Sequence, residues 1–374
     1  MAYILKHYDQ NVIKFDLTED FDGAVVRLIE IDAAHAHLVP LDMKPDNAGI
    51  LRWLRRRTIP SNRAYVNNFL AKQGLNEKNT KGIIDISKGL SLNDAYWIVP
   101  DDFKGAFAQY NLYTNKFSRI LGELAFLGYG SHTRSAFVSS PEFTTNGMLA
   151  KCWRRIDGEV ILYKSGTEGA ANLGKEPYSE FLAYQVAKEM DITAIKYGLV
   201  KWKGKLCSTC SLFTDMNTGF VPIGRLVTEG GIRAVMEYYK QLGGEYYEQL
   251  IDMLVFDAVI CNTDRHFGNF GLLIDNRTNT ILEPAPVFDN GLSLFCYAMN
   301  DDLSNIDRYA KTCQPAAYPE HVAFAKGVMT KRQRDKLRHL HGFRFTKHRR
   351  YNLPDERMKV IEDFIHRRVQ KLLD

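Results

Sequence analysis

The sequence predicts an α+β protein with a small β-rich lobe and a larger helical lobe, behind an N-terminal α+β accessory region. Three observations carry this. Strand-like alternation fills the first 40 residues and returns beyond residue 131; helical patterning dominates after residue 228; and 374 residues exceed one comfortable hydrophobic core. The expected partition is 1–130 for the accessory region, 131–227 for the small lobe and 228–374 for the helical lobe.

The elements follow in order. "YILKHYD", "NVIKFDL" and "AVVRLIEID" alternate with period two and are separated by "DQ" and "EDFDG" turns. "NAGILRWLRRR" and "RAYVNNFLAKQGL" carry helical spacing, punctuated by Pro60 and Asn62, and "YTNKFSRILGELAFLG" is an amphipathic helix stopped by Gly128. The small lobe then reads as strands, "RSAFVSS" running into "PEFTTNG", then "MLAKCWRRI" and "EVILYKSG", with Asp157-Gly158 as a two-residue hairpin turn. A Gly-rich linker, "SGTEGAANLGKEP", leads into the helix "YSEFLAYQVAKEM", with Pro177 at its start. "IKYGLVKW" and "KLCSTCSLF" turn at Gly204 and complete a sheet expected to hold five strands. Between two such lobes a cleft is the natural ligand site.

"YEQLIDMLVFDAVI" is apolar on nearly every face, hence a buried helix; Cys261 and Asn262 end it, Asn being tolerant of the left-handed turn needed there. "FGLLI", "DNRTNT" and "ILEPAPVF" read as a hairpin whose pairing Pro284 and Pro286 make irregular.

Composition narrows the function classes. Hydrophobic residues at 45% and charged residues at 25% describe an ordinary folded domain, and no apolar run approaches the ~20 residues of a membrane span. "MAYILKHYDQ" has no apolar core of a signal peptide, and six scattered cysteines form no disulfide framework, so a reducing, cytoplasmic setting is expected. Cys207 and Cys210 form a CxxC, but zinc needs two further ligands and a redox pair normally opens a helix. In a strand they read as core cysteines.

Net charge is +5, yet Lys326 to Arg350 holds ten Lys/Arg against the single acid Asp335, which leaves the rest of the chain net acidic. With Phe343, Phe345 and Tyr351 interspersed, the stretch reads either as a docking surface for nucleic acid or another acidic macromolecule, or as a solvated helix face.

The chemistry concentrates in "NTDRHFGN" and the hairpin that follows it. A hairpin brings its ends together, so Asn269 before the first strand and Asp289 after the second should be neighbours, with Asp264 at the mouth of the buried helix. Two carboxylates and a carboxamide are hard oxygen donors, which suits Mg²⁺ shared with substrate phosphates. Asn269 and Asp289 are the expected metal ligands, and Asp264 remains to orient an attacking hydroxyl. Upstream, Lys164 shares a strand face with Val160 and Leu162, and an inward lysine needs an anion. Glu180 shares the small-residue helix face with Ala183 and Ala187, where it would hold Lys164 toward nucleotide phosphates. His266 reads as structural and Asp257 as an anchor for the loop. The backbone around Leu212 and Phe213, leaving the small lobe, is the candidate for adenine contacts.

"NTDRHFGN" followed by "PVFDNG" resembles the catalytic and metal-binding motifs of HipA-like serine/threonine kinases, and the DRHxxN element is also similar to that of phosphatidylinositol 3- and 4-kinases. The resemblance covers roughly residues 131–374. It implies a two-lobed protein-kinase-like fold, with Asp264 as catalytic base, Asn269 and Asp289 on metal, and Lys164 and Glu180 as the strand lysine and helix glutamate. The chain departs from protein kinases proper in reading Asp-Arg-His and Asp289-Asn290-Gly291. Its phosphate loop, "SSPEFTTNGMLAK", contains only Gly147. A mobile loop there would place Ser139, Ser140, Thr144 and Thr145 near the γ-phosphate as modification candidates. The expectation is an ATP- and Mg²⁺-dependent kinase acting on a serine/threonine hydroxyl of a protein. The alternatives are a lipid or small-molecule kinase, an AMP-transferring enzyme, and a nucleic-acid-binding regulator with an inert kinase-like domain.

Overall fold

The structure is a computed structural model that describes residues 1–21, 23–129, 140–170 and 172–374. Its strands are β1 Ala2–His7, β2 Gln10–Asp20, β3 Gly23–Ile31, β4 Tyr96–Pro100, β5 Lys151–Ile156, β6 Glu159–Ser165, β7 Gly198–Trp202, β8 Lys205–Ser211, β9 Thr218–Pro222, β10 Gly271–Asp275 and β11 Thr280–Pro284. They form three sheets, ordered β3-β2-β1-β4, β5-β6-β8-β7 and β11-β10-β9. With the helices between them, the chain is α+β. Among the described residues no helix is long and apolar enough to cross a membrane.

By compactness the chain divides into two units. Unit 1 comprises Met1–Tyr163, Ser211–Val221 and Leu273–Leu282; unit 2 comprises Lys164–Cys210, Pro222–Leu272 and Glu283–Asp374. These lines differ from a partition at 130 and 227.

Unit 1 starts with the antiparallel meander the alternation predicts. β1 and β2 pair with Leu5 opposite Ile13, and β2 and β3 with Leu17 opposite Val26. β4, "YWIVP", escaped the sequence reading because it does not alternate. Tyr96 and Ile98 enter one hydrophobic core while Trp97 and Val99 enter another, so both faces are apolar. The amphipathic helix before Gly128 is shorter than its pattern: Ser118 caps it, it runs Arg119–Leu127, and Gly128 closes it in the left-handed region at φ +78°. At the β5–β6 hairpin both Asp157 and Gly158 have positive φ, as the two-residue turn requires.

Two expectations in this region change. "RSAFVSS" falls almost wholly outside the described residues. "PEFTTNG" is no strand: Pro141–Phe143 is a short 3₁₀ turn, and among the described residues the sheet of β5 to β8 has four strands. The cause is a local cap joined to a distant partner: Ser140 caps the turn, and the buried Arg63 guanidinium donates to the Glu142 carbonyl at 2.9 Å and to its carboxylate at 2.7 Å.

Unit 2 is organised around the helix Gly244–Ile260, every residue of which from Leu250 to Ile260 is buried. The helices Gly231–Leu242, His321–Val328 and Asp355–Leu373 pack against it. The left-handed residue ending it is Cys261 at φ +51°, not Asn262; the Asn262 side chain instead bonds Asp257 at 3.0 Å. β7 and β8 pair with Val200 opposite Cys207.

Candidate active site

Lys164, Glu180, Asp257, Asp264, Asn269 and Asp289 all belong to unit 2. Lys164 is the penultimate residue of β6 and is buried, as its inward strand face requires. Its Nζ lies 2.9 Å from the Glu180 carboxylate and also contacts the Asp289 carboxylate. Glu180 comes from the helix Glu176–Glu189, whose start Pro177 favours, and is fully buried. Its second oxygen accepts from the Asn290 backbone N–H at 2.8 Å. Burial alone would depress the lysine pKa, but Asp289 and Glu180 together raise it above its ordinary value, so the ammonium stays charged. Burial likewise pushes the Glu180 carboxyl up, with Lys164 opposing it.

The helix Gly244–Ile260 delivers the second group of residues. Past Cys261, Asn262 accepts from the Asp264 N–H at 3.0 Å, and the Asn269 amide nitrogen donates to the Asp264 carbonyl at 2.9 Å. His266 is exposed and its Nδ1 accepts from the Gly268 N–H at 3.0 Å, a structural role inside the loop. A Cβ on Gly268 would stand 2.8 Å from that imidazole, so any side chain there would displace the ring. Asp264 is half-buried; burial first, and then the charge of Asp289, push its carboxyl up. The two carboxylates therefore share one electrostatic field. Asp289 has a left-handed backbone at φ +55°, and its N–H donates to the Tyr197 hydroxyl at 3.1 Å.

Two mutually repelling carboxylates beside a carboxamide whose oxygen is not engaged in the Asp264 bond make a donor set that fits a hard divalent cation. Among the described residues no group of three His, Cys, Asp or Glu could hold a metal, so the carboxamide is needed to complete any set.

The remaining sequence candidates are dispersed. Leu212 and Phe213 lie in unit 1, where the Leu212 N–H donates to the Val160 carbonyl at 2.8 Å and Phe213 packs edge-on against Phe220. The described part of the phosphate loop is not mobile in character. Ser140 to Thr144 are buried, Thr144 Oγ1 donates to the Leu90 carbonyl at 2.9 Å, and Thr145 Oγ1 donates to Pro141 at 2.7 Å; Ser139 lies outside the described residues. In the basic stretch, Phe343 and Phe345 are buried against one another and cannot stack on bases. Arg332 pairs with Glu245 and Asp252, and Lys336 with Asp252 and Asp191. The Cys207 and Cys210 thiols are pushed up by burial to about 11 and about 12; Cys207 is a core cysteine, while Cys210 is half-buried.

Sequence reasoning assigned no role to Arg265, Tyr197 or Asn290. Arg265 stood inside the quoted motif, and a cation in a loop next to a buried helix end was the available signal; nothing marked Tyr197.

No protein-family model matches the chain, and no curated protein matches it in sequence. Solved structures do match. A chain from the Shewanella oneidensis MR-1 toxin–antitoxin complex of HipA, HipB and operator DNA aligns over 99% of this chain and 96% of its own, with a TM-score of 0.56 at 12% identity. The chain has a HipA-like fold. The Helicobacter pylori proinflammatory kinase CtkA aligns over 60% of this chain and 91% of its own, with a TM-score of 0.47 at 18% identity. At 12% identity the likeness to the HipA complex chain is one of fold.

Proposed function

We propose that the protein is an ATP- and Mg²⁺-dependent kinase that transfers the γ-phosphoryl group to a serine or threonine hydroxyl of a protein. The observation that carries this is the Lys164 ammonium shared between Glu180 and Asp289, with the half-buried Asp264 in the field of Asp289. The serine/threonine acceptor rests on the motif resemblance of "NTDRHFGN" and "PVFDNG".

Asn269 and Asp289 would hold Mg²⁺, which when bound neutralises phosphate charge. Lys164 contacts the phosphates and exchanges Asp289 for them, so its charge stays compensated throughout, while Glu180 retains it. Asp264 accepts the proton of the acceptor hydroxyl as its oxygen bonds to the γ-phosphorus; the bond from that phosphorus to the bridging oxygen breaks and ADP leaves with the electron pair. The test is transfer of labelled γ-phosphate in a cell lysate by the wild type and by Asp264→Ala. Labelled protein bands should need Asp264; equal labelling by both, or label confined to extractable lipid, rejects the reading.

A second reading, nucleic-acid docking through Lys326–Arg350, is favoured by Lys326, Lys331, Arg349 and Arg350. They are exposed and have no ion-pair partner among the described residues.

A further inference from the structure

Arg265 is fully buried and carries five N–H donors, each of which meets an acceptor. Nε donates to Asp257 Oδ2 at 2.9 Å and Nη2 to Asp257 Oδ1 at 3.0 Å. Nη1 donates to the carbonyls of Asn269, at 3.0 Å, and Phe288, at 2.6 Å; Nη2 also donates to Asn290 Oδ1 at 2.5 Å. These acceptors come from three segments. Asp257 belongs to the buried helix Gly244–Ile260, Asn269 is a candidate metal ligand, and Phe288 and Asn290 flank the other, Asp289. Asp264 is joined to Arg265 by a peptide bond.

Arg265 therefore reaches all three residues assigned to chemistry: Asp264 through its backbone, Asn269 directly through its guanidinium, and Asp289 through the residues on either side of it. Asp289 in particular needs holding, because a non-glycine residue in the left-handed region persists only when its surroundings over-determine it. Tyr197 fixes its N–H, Glu180 fixes the next N–H, and Arg265 fixes the groups on both sides. A lysine has three donors from one nitrogen and no planar fork, so it cannot reproduce this pattern.

We infer that Arg265 is a positioning residue that locks Asp264, Asn269 and Asp289 into one block, with Asp257 as its anchor and Asn290 as its far clamp. The inference rests on the phosphotransfer reading above. Arg265 touches no reacting atom; it sets the spacing between the proton acceptor and the two metal-holding oxygens.

The test uses full-length Arg265→Lys and Asn290→Ala. Asn290→Ala keeps the Asp257–Arg265 pair, so it decides the matter where Arg265→Lys fails to fold. Two readouts separate positioning from general weakening. Steady-state transfer should show kcat down ~10²-fold with KM for ATP changed by no more than about twofold. Mn²⁺ titration followed by electron paramagnetic resonance, which needs no turnover, should show metal affinity falling about tenfold or more. Folded variants with wild-type kcat and wild-type Mn²⁺ affinity overturn the inference. Wild-type protein that transfers no phosphate overturns the phosphotransfer reading instead, and the Mn²⁺ titration still decides whether Arg265 positions the donor set.

Discussion

At the scale of single residues, Asp264 carries the sharpest expectation. Asp264→Asn keeps the shape and removes the proton acceptor, so turnover should fall by ~10²–10⁴-fold while ATP affinity is held. Equilibrium dialysis beside steady-state kinetics checks both halves. Burial and the neighbouring Asp289 raise the Asp264 pKa, and a base works only when ionised. The acid limb of the rate profile should therefore lie above the ordinary aspartate range, and raising Mg²⁺ should shift it downward because a cation favours the carboxylate. Lys164 has a structural share as well. Read from its strand face alone, it matters to activity far more than to stability; but it is buried between Glu180 and Asp289, and removing it leaves two carboxylates facing each other. Lys164→Ala should cost about 3–5 kcal/mol in urea unfolding, and Glu180→Gln added to it should restore part of that. Equal stability of Lys164→Ala and wild type would contradict the buried pairing.

At the scale of elements, the turn Pro141–Phe143 and the helix Lys331–Arg338 both behave differently from their sequence appearance. The turn is pinned by the Arg63–Glu142 pair, in which both side chains are buried, and by the Thr144 and Thr145 hydroxyls. Backbone amides of residues 142–144 should exchange slowly in hydrogen–deuterium mass spectrometry, and faster in Arg63→Ala; rapid exchange in the wild type would restore a mobile loop. In the helix, Arg332 and Lys336 anchor the buried Asp252 at 3.0 and 3.4 Å, so replacing them tests folding rather than docking. Nucleic-acid binding is better tested by changing Lys326, Lys331, Arg349 and Arg350 to Ala. Electrostatic docking predicts RNA or DNA binding that falls steeply with salt and a shallower salt slope in the variant, because fewer counterions are released. Identical slopes would leave the stretch as ordinary surface.

At the scale of the whole molecule, each unit contains, among the described residues, one buried histidine poised against acid. His7 in unit 1 and His321 in unit 2 have pKa values lowered by burial from 6.5 to about 4. The native state keeps them neutral while the unfolded chain binds protons below pH ~6.5, so stability rises with pH across this interval. Acidification from about pH 6.5 to about pH 4 should cost roughly 3 kcal/mol for each histidine. Urea midpoints measured across that range should decline, and His7→Gln and His321→Gln should each flatten the decline. A midpoint independent of pH above 4 would mean that neither imidazole is buried neutral.

By itself the sequence determined the features whose cause is local. Period-two alternation located β1, β2, β3 and β6, Asp157-Gly158 located a hairpin, and Pro177 located the start of the helix that carries Glu180. The grouping of Asp264 and Asn269 was legible because they stand five positions apart, and Asp289 because a hairpin returns it. Only the tertiary structure decided the rest. β4 has two apolar faces because a core lies on each side of it, which no alternation can report. Pro141–Phe143 is a turn because Arg63, far earlier in the chain, is buried against it. Tyr197 meets the Asp289 N–H, and Arg265 finds Phe288 and Asn290, across separations that carry no periodic signal. Periodicity records which way a side chain faces its own segment. A buried donor must instead find an acceptor wherever folding brings one within about 3 Å, and that partner is set by packing of the whole chain.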